Sequence, residues 1–175
     1  MTINNEDTAY STSCQIQTQS CQLIRSWQKI NDFGKNDASH IGKLLRHKDL
    51  APDFIIRSNA LRAKRTAEIV AKECGYVVEE ISLERSLYEA NPNDWMNVLE
   101  RLPDKYNRVL IVGHNPTIEE IVKMLTGLSD ITMPSSSLAH LSMPIEKWSD
   151  LKIKTKHLIV LKEIMRREWG FLVIS

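Results

Sequence analysis

The stretch Val109-Leu110-Ile111-Val112-Gly113-His114-Asn115-Pro116 decides the architecture. Four consecutive apolar residues, three of them β-branched, read as a strand buried on both faces, the pattern of a parallel sheet. Gly113 to Pro116 then turns the chain out of the sheet. Asn115 suits an N-cap, Pro116 suits the first helical position, and Glu119 and Glu120 complement the positive end of a helix dipole. Ile118, Ile121, Val122 and Leu125 follow at helical spacing, and Gly127 is placed to close the helix. This handover from strand to helix puts His114 at the carboxyl edge of the sheet, where open α/β sheets bind ligands. Backbone N–H groups at the helix start favour an anion such as phosphate in the same crevice. On these residues alone, a structural histidine in a strand-to-helix turn is an equally good reading.

The same handover occurs upstream. Phe54-Ile55-Ile56 reads as a short buried strand. A helix follows over Leu61 to Cys74, with Ala63, Ala67, Val70 and Ala71 on one face and Gly75 as its C-terminal cap. Arg62 in its first turn can reach the sheet edge that carries His114. A guanidinium grips phosphate oxygens in pairs, which an ammonium cannot do. Standing alone, Arg62 also fits a solvated basic helix face, the reading that Lys64 and Arg65 take. Ile41, Leu44 and Leu45 mark a first helix ending near His47. Val77-Val78 and Ile81 predict a short strand, Asp94 to Leu102 a helix with Trp95, Val98 and Leu99 inward, and Pro103 its end. Ser137 to Met143 and His157 to Ile164 are predicted late strands. The alternation is mainly βαβα, which implies an α/β three-layer sandwich with a mostly parallel central sheet.

Bulk properties narrow the function. A chain of 175 residues is read as one domain with a single substantial core. The net charge of +1, with both signs interspersed, argues against nucleic-acid binding through bulk electrostatics. No apolar run has the length of a membrane span and no signal peptide is seen, so a cytoplasmic location is expected. Cys14, Cys21 and Cys74 have no metal-ligand spacing and read as free thiols. Residues 1–22 are polar, rich in Ser, Thr, Gln and Asn, and read as a disordered tail before a domain over 23–165, with 166–175 as a C-terminal tail.

Ser58-Asn59-Ala60-Leu61-Arg62-Ala63-Lys64-Arg65-Thr66-Ala67 and Val112-Gly113-His114-Asn115-Pro116 together resemble the histidine phosphatase superfamily, and within it the SixA-type phosphohistidine phosphatases. Those proteins carry Ser-Ser-Pro-Ala-x-Arg-Ala-x-Gln-Thr-Ala after one strand and Val-Gly-His-Asn-Pro after another. Leu87-Tyr88-Glu89-Ala90, Leu125-Thr126-Gly127, Met133-Pro134 and Trp148-Ser149-Asp150-Leu151 follow in the family's order, and Asn31 to Ala38 resembles the opening of its first helix. The resemblance implies a phosphoglycerate-mutase-like fold and a covalent mechanism. A histidine at the end of the first strand attacks phosphorus, two arginines and a second histidine hold the phosphoryl oxygens, and water hydrolyses the phosphohistidine. Carried over, Arg62 is the second arginine, His114 the second histidine, and Glu89 falls where relatives place a proton donor. Glu89 also fits a solvated loop carboxylate. The resemblance implies no metal or organic cofactor. It implies as partner a phosphohistidine-bearing phosphotransfer protein of a signalling pathway, or a small phosphomonoester, acted on by a monomer.

The chain departs from the family at its defining motif. No Arg-His-Gly or Arg-His-Ala ends an apolar first strand, and His40 sits within the first predicted helix as a surface residue. Family spacing puts the missing pair at Thr12-Ser13. Cys14 is a nucleophile in principle, but nothing supports that use. If the codons of Asn5 to Gln17 are read one nucleotide later, degeneracy permits Met-Lys-Ile-Leu-Leu-Ile-Leu-Arg-His-Ala-Lys-Ser. That reading makes the N-terminal segment a frameshift product and puts arginine and histidine at positions 12 and 13. Smaller departures are Arg57 for serine, Asn59 for proline and Arg65 for glutamine. The expectation is a phosphohistidine phosphatase by descent, impaired as written. It should fold poorly unless Ala9 to Ile16 takes the place of the first strand. The alternatives are a non-catalytic phosphate-binding module, or pseudophosphatase, and an unrelated nucleotide-binding α/β domain. The last lacks a Gly-rich phosphate loop.

Overall fold

The computed structural model describes residues 29–142, 145–151 and 160–165. The expectations for residues 1–22, for Thr12-Ser13, Cys14 and Cys21, for Ala9 to Ile16 and for the tail 166–175 lie outside the described residues.

Helix α1 (Asp32–His47) starts where the Asn31 side chain accepts the Gly34 N–H at 2.8 Å. It leads to β1 (Phe54–Arg57) and α2 (Leu61–Cys74), which ends on Gly75 at φ +84, the left-handed cap expected of glycine there. β2 (Ser82–Leu83), α3 (Pro92–Glu100), β3 (Val109–Val112) and α4 (Thr117–Thr126) follow. β4 (Leu138–Ser142) and β5 (Val160–Met165) come last.

β2, β1 and β3 form a wholly parallel sheet in that order, with Phe54 opposite Val109 and Arg57 opposite Val112. The Asp53 carboxylate pins this register from below. It accepts the N–H groups of Asn107 and Arg108 at 2.8 and 2.9 Å, fixing the two strand starts to each other. Side chains alternate along the pleat and so divide the core in two. Ile56, Val109 and Ile111 pack with Trp95, Ile118 and Ile121 of α3 and α4. Ile55, Leu110 and Val112 pack with Ala38, Leu45, Ala67 and Val70 of α1 and α2. The result is a helix–sheet–helix sandwich. β4 and β5 form a separate antiparallel ladder among the described residues.

α1 and α2 cross closely at Gly42. A Cβ there would lie 2.5 Å from Glu73 Cβ and 2.8 Å from the Val70 carbonyl oxygen, so only glycine fits.

Three sequence expectations need correction. The predicted strand at Val77–Ile81 is a 3₁₀ turn over Val78–Glu80 followed by the two-residue β2. The Ile81 N–H bonds back to the Val78 carbonyl, which ties the valine pair into the turn. α3 begins at Pro92, ahead of the expected Asp94. Asn91 and Asp94 form a reciprocal capping box, which places Asp94 at the third helical position. Asn115 does not cap α4. Its side-chain amide donates to the Met133 carbonyl, and the N-cap is Pro116 with no side-chain bond.

Candidate active site

β1 and β3 end at the same edge of the sheet, where the Ser58 N–H donates to the Val112 carbonyl at 3.1 Å. His114 lies two residues beyond the end of β3, and Arg62 five residues beyond the end of β1. A cavity of about 430 Å³ opens here, lined among others by Lys29, Arg62, Thr66, His114, Ser135 and Ser136. Arg62 comes from the first turn of α2 and His114 from the turn between β3 and α4. The two residues singled out from the sequence therefore face one space.

His114 is neutral through the physiological range. Its pKa is lowered to about 4, chiefly because burial disfavours the imidazolium and secondly because the Arg62 charge repels it. The cationic character of the cavity therefore rests on Arg62 and Lys29. The His114 ring is held on two sides. Its Nε2 lies 2.9 Å from the Ser58 hydroxyl, and the Tyr88 ring meets it edge-on at 5.9 Å between centroids. Gly113 allows the close passage of this turn under α3. A Cβ there would sit 2.7 Å from the Trp95 ring.

The far wall is built by the loop before β4. The Met133 peptide is gripped twice, its N–H donating to the Glu119 carboxylate at 2.8 Å and its carbonyl accepting the Asn115 amide. This clamp carries Ser135 and Ser136 to the cavity, with Ser136 at φ +61. Glu119 thus anchors a loop besides complementing the helix dipole.

Glu89 is placed differently. It is exposed, with φ +54, and is not among the residues lining the cavity. It adjoins Tyr88, and the next residue, Ala90, is tied to α4 through its carbonyl and the Thr117 hydroxyl at 2.9 Å. Arg57 is not among the residues lining the cavity: its guanidinium donates to the Ser58 carbonyl and feels the Glu68 charge on α2. Lys64 and Arg65 are exposed and pair with Glu68, as a solvated face would. His40 is exposed on α1, as expected. The described free thiol, Cys74, is buried, and burial pushes its pKa up. Among the described residues no group of three or more His, Cys, Asp or Glu could hold a metal ion, and no helix is long and apolar enough to cross a membrane.

Sequence reasoning quoted Ser58 and Tyr88 without giving them a role, and did not single out Ser135 or Ser136. For Ser58 the signal was its position directly after a strand that points at the His114 edge.

Residues 24–99 match the model of the histidine phosphatase superfamily (branch 1). That range takes in Ser58, Arg62 and Glu89. An uncharacterized protein of Mycobacterium leprae (strain TN) is 26% identical over 141 residues, covering 75% of this chain and 84% of that one. A structure assigned as the phosphohistidine phosphatase SixA of Nakamurella multipartitia superposes with a TM-score of 0.68 at 21% identity, covering 81% of this chain and 86% of the other. The protein histidine phosphatase SixA complexed with tungstate superposes at 0.69 with 16% identity, over 82% and 86% of the two chains. The α/β fold is that of these SixA structures, and residues 24–99 are similar to the histidine phosphatase superfamily.

Proposed function

We propose that this chain is a SixA-like phosphohistidine phosphatase by descent, whose cavity binds the phosphoryl group of a phosphohistidine on a signalling protein. The observation that carries the reading is the convergence of Arg62 and His114 on one cavity at the carboxyl edge of the sheet. Arg62 supplies paired donors to two phosphoryl oxygens, and His114 supplies a neutral N–H to a third. Glu89, on the loop beside Tyr88, is the candidate proton donor. A phosphohistidine substrate asks little of it, because imidazole is a good leaving group.

Turnover through an enzyme phosphohistidine needs a second imidazole in line with phosphorus. Among the described residues, His114 is the only histidine lining the cavity. Weak or no turnover is therefore expected of the chain as written. That observation favours a second reading, a phosphate-binding module without catalysis.

Calorimetry with inorganic phosphate and hydrolysis assays on a phosphohistidine protein test both readings. Saturable binding that Arg62→Ala abolishes, and that Arg62→Lys weakens roughly tenfold through loss of the paired geometry, is expected. Robust hydrolysis abolished by His114→Ala would show that the chain does not lack its nucleophile. Absence of phosphate binding would end both readings.

A further inference from the structure

Ser58 is fully buried, with no exposed surface, at the end of β1. Its backbone is already committed: the N–H donates to the Val112 carbonyl at 3.1 Å, and the carbonyl accepts from Arg57 at 3.0 Å. That leaves the hydroxyl. Its partner among the described residues is Nε2 of His114, at 2.9 Å. A buried hydroxyl must place its proton on an acceptor, or it loses the hydrogen bond it made to water with nothing in return. Nε2 is an acceptor only when it carries no proton. In a neutral imidazole the proton is then on Nδ1.

We infer that Ser58 donates its hydroxyl proton to Nε2 of His114, fixing the Nδ1–H tautomer, and is thereby a positioning residue for anion binding. This deepens the function proposed above and rests on it for the identity of the anion. The opposite arrangement fails twice. With Nε2 protonated and Ser58 accepting, the serine proton has no described acceptor. The Nδ1 lone pair would also be left as the ring's remaining polar group, and a lone pair repels a phosphoryl oxygen. Burial keeps His114 neutral, so its tautomer, and not its charge, decides whether it can donate. The Tyr88 edge against the ring limits its freedom to turn.

The test is nitrogen NMR on the full chain labelled at histidine, with inorganic phosphate as the probe. Without ligand, the His114 ring is expected as the Nδ1–H tautomer. Ser58→Ala should convert it to a mixture or to the Nε2–H form and weaken phosphate binding roughly three- to tenfold, the worth of one neutral hydrogen bond. Ser58→Thr, which keeps the hydroxyl, should restore the tautomer. A fold effect alone would not move the tautomer and be rescued by threonine. An Nε2–H tautomer in the unaltered chain overturns the inference, whatever the variants do. So does a tautomer unchanged in Ser58→Ala. Failure of phosphate to bind the unaltered chain, with the Nδ1–H tautomer present, would instead remove the proposed function and leave the Ser58 assignment standing.

Discussion

At the scale of single residues, the site joins a guanidinium to a half-buried neutral ring. His114 gives up its proton because burial and the neighbouring Arg62 guanidinium both oppose the imidazolium. This has a consequence for stability. The unfolded chain protonates His114 near 6.5, but the folded chain does so only near 4. Between those values the unfolded state holds more protons, so stability rises with pH across the window and is lost as pH falls through it. The loss is on the order of 3 kcal/mol at most. Other carboxylates titrate in the same range, so the measurement is a difference. Denaturant midpoints of the unaltered chain and of His114→Gln should diverge by a constant amount above pH 7. Below pH 6 the gap should shift in favour of the variant. A gap that stays constant down to pH 4 would show that His114 is not held neutral by the fold. Arg62 and His114 were both legible in the sequence, because a strand followed by a helix start fixes which sheet edge a residue occupies. The role of Ser58 was not. It depends on β1 and β3 ending level with each other, a register set by long-range pairing and by the Asp53 carboxylate.

At the scale of elements, local signals were read well where they acted alone and badly where a distant group competed. Gly75 caps α2 and Gly127 caps α4 as their positions promised. Asn115 has the chemistry of an N-cap, yet the Met133 carbonyl takes its side chain. Val77 and Val78 have strand propensity, but the 3₁₀ turn holds the backbone and only Ser82 and Leu83 reach the register of β1. In each case a partner far away or a short turn outweighed a preference worth less than about 1 kcal/mol. The contact between α1 and α2 is the clearest element-scale constraint. Gly42 sits against Val70 and Glu73 with no room for a methyl group, and the closest atoms include backbone. Gly42→Ala improves helix propensity by about 1 kcal/mol, but it must separate the two helices, and overpacking costs roughly 1–3 kcal/mol. The variant is expected to melt lower than the unaltered chain. Because α2 carries Arg62, it should also bind phosphate more weakly. Gly75→Ala offers the contrast. It has open space around it and a positive φ, so its penalty comes from backbone strain with no helix displaced, and phosphate affinity should hold. Equal effects of the two on affinity would mean that the α1–α2 contact does not position Arg62.

At the scale of the whole molecule, β3 has the composition of a central strand and, among the described residues, one strand neighbour. All four of its residues are buried. The carbonyls of Arg108 and Val112 accept from β1, so the even-numbered residues face that strand. Val109 and Ile111 direct their backbone groups to the other side. A cavity of about 260 Å³ is lined by Val109, Ile111, Leu141 and Ser142 among others. Lys29, the first described residue, lies at the cavity that holds His114. A strand running parallel to β3 through the space beside it would end at that same edge, delivering its last residues to the proposed phosphate site and its chain to Lys29. The shifted reading of the N-terminal codons supplies an apolar strand ending in Arg-His over residues 5–16. Placing that sequence in the chain is expected to protect the Val109 and Ile111 amides from hydrogen exchange to the level of Leu110 and Val112. It should raise stability by roughly 3–5 kcal/mol, from a handful of ladder hydrogen bonds at about 1 kcal/mol each plus newly covered apolar surface. It should also bring turnover of phosphohistidine that depends on both the introduced histidine and His114. Protection without turnover would mean that the space accepts a strand but that the cavity lacks some other catalytic element. Unchanged exchange at Val109 and Ile111 would show that this edge of β3 is already satisfied, and the proposal that a restored N-terminal strand completes the site would fall.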